Sequence, residues 1–466
     1  MANEVIDSND NIRFAEGDGG EAPGASHRFI GRVGVDELNR ILNVESKPFS
    51  KSSNPPAAYV VPGYQQATYE VNLYKITYQS VIPELGNRPT TATGLVAIPV
   101  PTAEESAAPG PISRPLVSYQ HGTVYGLHEV PSYSFTLDKA GAAYGDSYET
   151  RLAVAQFAGQ GYVVIAADYF GMGDSTEKDA YAVKASEQQA CLDLLKQSAP
   201  VIRASNVKVT DLLLSGWSQG GLVTMAFLQK LEQEGIKVAG ASTASAPSDV
   251  LAATTALLFN RRGPSSPTPD AVWMNTIFII AAFSYENYYA KPGMASGFFV
   301  PQHYEAARRI YARDYDRLGF DAGNGDLLVY PSKDDPNPMK VPSDLTKLIR
   351  PEYFSPDATS RADPQYYPFS QFAQLLKDAS AYQWVIKTPV LLNYGTHDEA
   401  FAPAVALIPY QYQQAINRNN PIIPVAVTNG NHRGTFLTAV DRQRYWFNRL
   451  LGRDPGPKPD GLPEAL

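Results

Sequence analysis

Ser218 lies in the sequence Gly-Trp-Ser-Gln-Gly at residues 216–220, which places a glycine two positions from the serine on either side. An apolar run at residues 212–214 precedes this pattern, and a stretch of helical character follows Gly221. A tight turn between a strand and a helix forces its central residue into a strained backbone conformation, and the flanking glycines avoid clashes between the two elements. The pattern therefore predicts that Ser218 is a nucleophile for acyl transfer.

A serine hydroxyl is a poor nucleophile at neutral pH, so it requires a neighbouring base whose orientation is fixed by a third group. After a nucleophile in this strand–turn–helix context, the acid comes next along the chain and the histidine last. Three histidines follow Ser218, namely His303, His397 and His432. His432 lies in a polar, glycine-containing segment before the final helical stretch, where the base is expected. His303 and His397 are interpreted as structural residues.

The acid that orients the base is expected just after the apolar strand predicted at residues 390–394. Asp398 stands at that place and is the preferred candidate. Its neighbour Glu399 is a weaker substitute, because an offset of one residue normally points a side chain elsewhere. Asp249 follows the preceding predicted strand and is the stronger rival. The sequence predicts Asp398 and leaves both alternatives open.

Acyl transfer also needs hydrogen-bond donors for the negatively charged oxygen of the tetrahedral intermediate. One donor is expected from the backbone of the residue after the nucleophile, Gln219, and a second from the loop after an earlier strand. That loop carries the sequence His121-Gly122-Thr123 after an apolar strand. Gly122 would permit a close turn and Thr123 would present its amide. The sequence does not decide which of the two is the donor.

Other polar groups in the sequence have simpler interpretations. Residues 168–175 contain two close glycines after a strand but no Gly-x-Gly-x-x-Gly pattern, which favours a tight structural loop over a phosphate or metal site. Cys191 lies in a predicted helix and is assigned to packing. No histidine or cysteine spacing typical of a metal site is present, so no metal and no organic cofactor are predicted.

Short apolar strands that alternate with helical stretches from residue 115 onwards predict an α/β protein with a mostly parallel sheet. Ahead of them, segments rich in β-branched and aromatic residues at 71–78 and 91–100 predict an antiparallel hairpin. The later strands are predicted at residues 116–119, 162–167, 211–215, 238–245, 390–394 and 423–427. The helices that cover them are predicted at residues 149–157, 187–195, 222–231 and 434–451.

Two parts of the chain depart from this alternation. Residues 1–57 mix Asp, Gly, Ser and Pro around a short amphipathic segment at 35–42, and they are predicted to form an extended arm. Residues 250–384 are rich in Pro and Tyr and are predicted to form an inserted cap, with its most apolar helix at 273–283. Residues 58–249 and 385–466 are then expected to form the catalytic domain.

The composition excludes several classes of partner. A net charge of −8 provides no basic surface for a phosphate backbone, so nucleic acid is not an expected partner. The longest apolar run, at 277–283, is far shorter than the roughly 20 residues of a membrane-spanning helix. Residues 1–20 are acidic and glycine-rich, unlike a signal peptide. The chain is therefore expected to be cytoplasmic as it stands, or secreted if a signal has been removed.

The three candidate catalytic residues and the loop at 121–123, in this order and context, resemble the α/β-hydrolase superfamily over about residues 69–452. This resemblance implies an α/β-hydrolase fold, in which helices flank a mostly parallel central sheet and a large cap is inserted. Short strings followed by the insertion are similar to the secretory lipase group, at residues 168–171, 216–221 and 246–249. That group implies a carboxylesterase or lipase with a cap over the acyl site, and usually export. Some relatives place the acid at the position of Asp249.

The expected function is hydrolysis of carboxylic esters through an acyl-enzyme, with a small-molecule or lipid ester as substrate. His432 would take the proton of Ser218 while Asp398 orients the imidazole. A serine peptidase or aminopeptidase would use the same residues, but no propeller-like repeat precedes the catalytic segment. A non-catalytic binding protein typically lacks one of the three residues, and all three candidates are present here.

Overall fold

The structure, a computed structural model, describes residues 25–51, 56–135, 144–258, 272–321, 323–351 and 367–464. Its strands are β1 (Ser26–Val33), β2 (Val71–Ile82), β3 (Arg88–Pro99), β4 (Ile112–Gln120), β5 (Val163–Ala167), β6 (Val207–Trp217), β7 (Gly240–Ala244), β8 (Arg317–Phe320), β9 (Leu327–Tyr330), β10 (Met339–Val341), β11 (Val390–Gly395) and β12 (Ile422–Val427). Nine of them form one sheet in the order β1-β2-β3-β5-β4-β6-β7-β11-β12.

The described residues also form α-helices between and after these strands. They are α1 (Val35–Arg40), α2 (Ser46–Lys51), α3 (Ala103–Ala107), α4 (Tyr144–Phe157), α5 (Lys184–Gln197), α6 (Ala199–Ala204), α7 (Gln219–Gln233), α8 (Val250–Leu258), α9 (Val272–Tyr288), α10 (Met294–Phe298), α11 (Pro301–Ala312), α12 (Leu345–Leu348), α13 (Tyr367–Ala379), α14 (Pro403–Ala406), α15 (Ile408–Ile416) and α16 (His432–Leu450). Every helix predicted for the catalytic domain overlaps one of these elements.

The sheet is antiparallel at one end and parallel over the rest. The predicted hairpin is the antiparallel pair β2–β3, in which Val71 lies opposite Pro99 and Ile82 lies opposite Arg88. The strands from β5 through β4, β6, β7 and β11 to β12 run parallel to one another. The α/β fold class is therefore confirmed. The carboxyl ends of β4, β6, β7, β11 and β12 meet at one edge of the sheet, which is where sites form in such sheets.

Apolar side chains cover both faces of the sheet, because alternate residues of a strand point to opposite sides. In β6, Leu212 and Leu214 belong to the core under α5 and α7, whereas Leu213 belongs to the core under α4 and α16. Burial on both faces explains why the parallel strands read as short continuous apolar runs in the sequence.

The core under α5 and α7 continues into the cap segment, a name we use for residues 250–384. Phe278 of α9, Phe298 of α10 and Phe372 of α13 belong to the same apolar cluster as Phe227 of α7. The cap segment also contains an antiparallel sheet in the order β10-β9-β8, which the sequence did not predict. Its division from the catalytic domain stays a prediction.

The arm predicted for residues 1–57 is described from residue 25 onwards. There it consists of strand β1, which pairs with β2 at the edge of the sheet, and of the helical segment from Val35 to Lys51. Leu38, Ile41 and Leu42 are fully buried in the core under α4 and α16. The described part is therefore folded onto the sheet rather than extended throughout.

None of the described helices combines the length and the apolar character that a helix needs to cross a lipid bilayer.

Candidate active site

Ser218 lies in the turn between β6 and α7 with φ 57° and ψ −123°, a backbone conformation that is strained for any residue other than glycine. Its amide donates a hydrogen bond to the carbonyl oxygen of Ala244 at the end of β7, 3.0 Å away. A Cβ atom at Gly216 would overlap the backbone of Gly220, and one at Gly220 would overlap the carbonyl of Gln120. The flanking glycines therefore allow the turn to pack against its neighbours.

The hydroxyl of Ser218 lies next to the imidazole of His432. The distance from Ser218 Oγ to His432 Nε2 is 2.9 Å, and His432 Nδ1 lies 3.1 Å from each carboxylate oxygen of Asp398. All three residues are buried, with exposed fractions of 7% for Ser218, 3% for His432 and 1% for Asp398. The structure thus brings together the three residues that the sequence singled out as nucleophile, base and acid.

The carboxylate of Asp398 is fixed by the turn after β11. Its Oδ1 accepts hydrogen bonds from the backbone amides of Ala400 and Phe401, each at 2.9 Å. Two amide donors and the imidazole compensate for the loss of water around this buried charge. Asp398 can therefore hold the imidazole ring in one orientation without moving itself.

His432 is the first residue of α16, and several contacts fix its position. The side chain of Asn431 caps the helix by accepting a hydrogen bond from the amide of Gly434, 2.9 Å away. The indole of Trp217 donates to the carbonyl oxygen of His432, 3.2 Å away. Burial lowers the pKa of His432, but the charge and the hydrogen bond of Asp398, with the charge of Glu399, raise it above its ordinary value. The surroundings of His432 therefore favour the protonated form of its imidazole.

Asp249, the alternative acid, forms hydrogen bonds with residues other than His432. Asp249 accepts hydrogen bonds from the amide of Ala252 and from the hydroxyl of Tyr382, at 2.8 and 2.7 Å. These contacts place Asp249 at the start of α8, away from the imidazole.

The two alternative histidines, His303 and His397, lie within hydrogen-bonding distance of groups other than Ser218. His303 Nδ1 lies 2.9 Å from the carbonyl oxygen of Lys340, and His397 Nδ1 lies 3.0 Å from Thr396 Oγ1. The structure brings neither of them to Ser218.

The loop after β4 contains the second predicted oxyanion donor. The amide of Gly122 already donates a hydrogen bond to Glu149 Oε1, 2.6 Å away, so it is not available to a substrate. The amide of Thr123 makes no hydrogen bond to the residues that the structure describes. Of the two alternatives left open by the sequence, the geometry favours Thr123, together with the amide of Gln219 at the first position of α7.

The carbonyl group of the peptide between Gly122 and Thr123 is held by the neighbouring imidazole. His121 Nδ1 lies 2.7 Å from the carbonyl oxygen of Gly122, and the ring of His121 stacks on that of Tyr169 with centroids 4.3 Å apart. Burial lowers the pKa of His121 to about 4, so the ring is neutral at neutral pH and its Nδ1–H donates to the carbonyl. Because the carbonyl is fixed, the amide of Thr123 points in the opposite direction.

Glu149 is a residue that the sequence analysis missed, and it makes a testable contribution. We expect Glu149→Ala to lower kcat/KM by about 10²-fold, the lower end of the effect of losing one oxyanion donor, because Gly122 loses the anchor of its amide and no longer holds the following amide of Thr123 in place. Glu149→Gln keeps an acceptor and should retain most of the activity. Steady-state kinetics would check this, with the loss appearing in kcat rather than KM.

Glu129 offers a matched control, since its carboxylate accepts a hydrogen bond from the amide of Gly126 in the same loop, 2.6 Å away. Glu129→Ala should therefore have little effect on kcat. Equal losses in Glu149→Ala and Glu129→Ala would contradict the specific role of Glu149.

Glu187 of α5 is a second buried acid near the nucleophile. Its Oε1 accepts hydrogen bonds from Gln219 Nε2 at 2.8 Å and from the amide of Ala182 at 3.1 Å. Burial raises the pKa of Glu187 to about 8, so the carboxyl group is mostly protonated at neutral pH. The side chain of the predicted oxyanion donor Gln219 is thus fixed by an uncharged partner.

A small apolar pocket with a volume of about 30 Å³ lies beside the turn of Ser218. Its walls come from residues inside and outside the cap segment, and none of the described residues that line it is charged. The lining residues are Tyr181, Ala182, Gln219, Leu222, Pro247, Val250, Ala253, Thr254, Leu257, Ile277, Ala281, Leu376 and Phe401. A larger cavity lies between residues 58–65 and 457–461. Ser218, His432 and Asp398 line neither space, but Gln219, the residue after Ser218, lines only the apolar pocket.

The remaining polar groups that the sequence analysis considered are engaged within the fold. Asp168 is fully buried and accepts hydrogen bonds from Thr93 Oγ1 at 2.6 Å and from the amide of Ser132 at 2.9 Å. These hydrogen bonds connect the loop at residues 168–175 to the segments that contain Thr93 and Ser132, as expected of a structural loop. Cys191 is buried, and burial raises the pKa of its thiol. Among the described residues, no group of three or more histidines, cysteines and acids is placed to hold a metal ion.

Comparisons with known proteins agree on the architecture. No protein-family model and no curated protein matches the sequence. Among solved structures, a protein of Legionella pneumophila superposes with a TM-score of 0.65 at 18% identity, covering 92% of this chain and 98% of its own.

Two further solved structures carry descriptions of their activity. The rice cell wall degrading esterase LipA from Xanthomonas oryzae gives a TM-score of 0.62 at 19% identity, over 92% of this chain and 95% of its own. Candida antarctica lipase A in its closed state gives 0.55 at 16% identity, over 89% of both chains. These matches, with the sheet order and the strand–turn–helix at Ser218, show that the chain has the α/β-hydrolase fold.

Proposed function

We propose that this protein is a serine hydrolase of carboxylic esters that works through an acyl-enzyme, with Ser218 as nucleophile, His432 as base and Asp398 as the orienting acid. The observation that carries the proposal is the continuous hydrogen-bonded series from Ser218 Oγ through the imidazole to the carboxylate, at 2.9 and 3.1 Å. A buried series of this kind has little use in a protein that only binds a ligand.

The proposed reaction has two halves. His432 Nε2 takes the proton of Ser218 as Oγ attacks the ester carbonyl, and the protonated imidazole then gives this proton to the leaving alcohol. The amides of Thr123 and Gln219 donate hydrogen bonds to the negatively charged oxygen of the tetrahedral intermediate. In the second half, water takes the place of Ser218 as nucleophile, and the acid is released. The reaction requires no metal or organic cofactor.

The apolar pocket favours an ester over a peptide substrate. The described residues that line it include no charged side chain that could hold a free amino group, as an aminopeptidase would need, whereas an acyl chain that widened the pocket would be stabilised there by burial. The activities named for the esterase from Xanthomonas oryzae and the lipase from Candida antarctica agree with this choice. A small-molecule or lipid ester is therefore the proposed substrate, and a serine peptidase is the alternative.

A panel of aryl esters with acyl chains of about 2 to 12 carbons, together with an aminoacyl anilide, tests the proposal. We expect the wild-type protein to cleave the esters much faster than the anilide. Ala253 lines the pocket, so Ala253→Phe should lower kcat/KM for the longer esters by about tenfold or more, while acetate esters are less affected. Faster cleavage of the anilide would support the peptidase instead.

Thr255 provides the control for this substitution. It lies two residues further along α8 and is exposed rather than buried. Thr255→Phe should leave the dependence on acyl length unchanged. If both variants changed that dependence equally, the pocket beside Ser218 would not be the acyl site.

A further inference from the structure

Glu399 lies next to Asp398 in the turn after β11, yet the two carboxylates bind different parts of the same residue. Asp398 faces the imidazole of His432, with both carboxylate oxygens 3.1 Å from Nδ1. Glu399 Oε2 accepts a hydrogen bond from the backbone amide of His432, 2.8 Å away. Consecutive acids therefore fix the ring and the main chain of the proposed base.

The position of Glu399 has two physical effects. His432 is the first residue of α16, where a backbone amide has no partner within the helix, and a carboxylate stabilises such a helix end. The same carboxylate adds a second negative charge close to the imidazole. Its charge contributes to raising the pKa of His432, after the charge and hydrogen bond of Asp398. Loss of the negative charge would make the imidazolium harder to form.

The other groups around the imidazole do not replace this charge. Arg433, the next residue of α16, is positive and lowers the pKa of His432, and its guanidinium lies over the ring of Phe49. The rings of Trp217 and Phe401 lie 5.0 and 5.4 Å from that of His432 and are uncharged.

Two hydroxyl groups also lie close to His432 or to the first turn of α16. Ser218 approaches His432 Nε2 from the turn after β6, and the hydroxyl of Tyr59 donates to the carbonyl oxygen of Gly434, 2.7 Å away. Neither brings a negative charge to the ring at neutral pH.

Opposing effects act on the pKa of Glu399. Burial raises the pKa of Glu399, the adjacent charge of Asp398 raises it further, and the positive charge of His432 lowers it. Among the described residues it forms no ion pair with lysine or arginine. A partly buried acid without such a partner is stabilised chiefly when His432 is protonated, which links the two groups during the reaction.

We infer that Glu399 is a positioning residue for His432. Its carboxylate holds the backbone amide of the proposed base and places a second negative charge near the protonated imidazole. This inference rests on the proposed function for its kinetic consequence. Its electrostatic part concerns only His432 and can be measured without a substrate.

The decisive variant is Glu399→Gln, which keeps an oxygen acceptor for the amide of His432 but removes the charge. The pKa of His432, followed by NMR on its Cε1 proton and assigned against His432→Gln, is expected to fall by about half a unit or more. In steady-state kinetics on an aryl ester, the acidic limb of the pH profile should move to lower pH by the same amount. The plateau of kcat should drop about tenfold with KM nearly unchanged.

Two further variants separate charge from hydrogen bonding and from fold. Glu399→Ala removes both contributions, and it should lower kcat about 10²-fold, part of which Glu399→Gln restores. Asp249→Asn is the matched control, since Asp249 is an acid at a helix start that does not contact His432. It should leave the pKa of His432 and the pH profile unchanged.

An unaltered pKa of His432 together with a wild-type kcat in Glu399→Gln would overturn the inference. A loss in Glu399→Gln as large as that in Asp398→Asn would also overturn it, because Glu399 would then be the orienting acid. If the protein cleaved no ester but the pKa of His432 still fell in Glu399→Gln, the proposed function would fail while the electrostatic role of Glu399 stood.

Discussion

Ser218→Ala is expected to lower kcat/KM for an aryl ester by about 10⁶-fold, the scale found when the nucleophile of a serine hydrolase is removed. Without Oγ no acyl-enzyme forms, and the imidazole of His432 has no hydroxyl 2.9 Å away to activate. Some acceleration over the reaction in water should remain, since the amides of Thr123 and Gln219 still surround the carbonyl. Measured rates must be corrected for traces of wild-type protein by titration of active sites.

Ser215 gives a matched control on the same strand. It is buried three residues before Ser218, and its hydroxyl donates to Gln443 Oε1, 2.9 Å away, rather than to the imidazole of His432. Ser215→Ala should keep most of the activity and should still be labelled by a fluorophosphonate. Ester hydrolysis that survived in Ser218→Ala, with labelling at another residue, would remove the basis of the proposed function.

Asp398→Asn has the second largest expected effect, a loss of about 10⁴-fold in kcat. The carboxylate lies 3.1 Å from His432 Nδ1 and is held by two backbone amides, so an amide side chain would occupy the same place with little structural change. It would, however, favour the wrong imidazole tautomer and fail to stabilise the imidazolium. Kinetics under saturating substrate would show the loss in kcat, while circular dichroism would report an intact fold.

Asp249→Asn distinguishes the two acids that the sequence left in competition. Asp249 bonds to Tyr382 and to the start of α8, so its substitution should change kcat by less than about tenfold. If Asp249→Asn were the more damaging variant, Asp249 rather than Asp398 would be the acid that acts on His432.

The main elements of the fold could be predicted because their signals are local. Each parallel strand is a short apolar run, and the glycines around Ser218 are required by contacts within one strand–turn–helix unit. The order of Ser218, Asp398 and His432 along the chain then follows from the order of strands β6, β11 and β12. Such patterns need no knowledge of distant contacts.

The contacts that complete the candidate site could not be predicted in this way. Glu149 meets Gly122 across 27 residues, Glu187 meets Gln219 across 32, and Glu399 meets His432 across 33. A glutamate in a helix or turn normally faces solvent, and only the packed structure shows that these three do not. Strands β8 to β10 were missed for a related reason, since three or four residues are too few for a periodic pattern.

The apolar cluster shared by α7 and the cap segment contributes both to the stability of the fold and to the shape of the proposed acyl pocket. Leu257 and Ile277 line the proposed acyl pocket and also belong to the core that continues under α5 and α7. Truncating a buried side chain of this size typically costs about 2–5 kcal/mol of folding free energy. A wider pocket would therefore come with a less stable protein, and changes in substrate range during evolution would require compensating substitutions elsewhere in the same core.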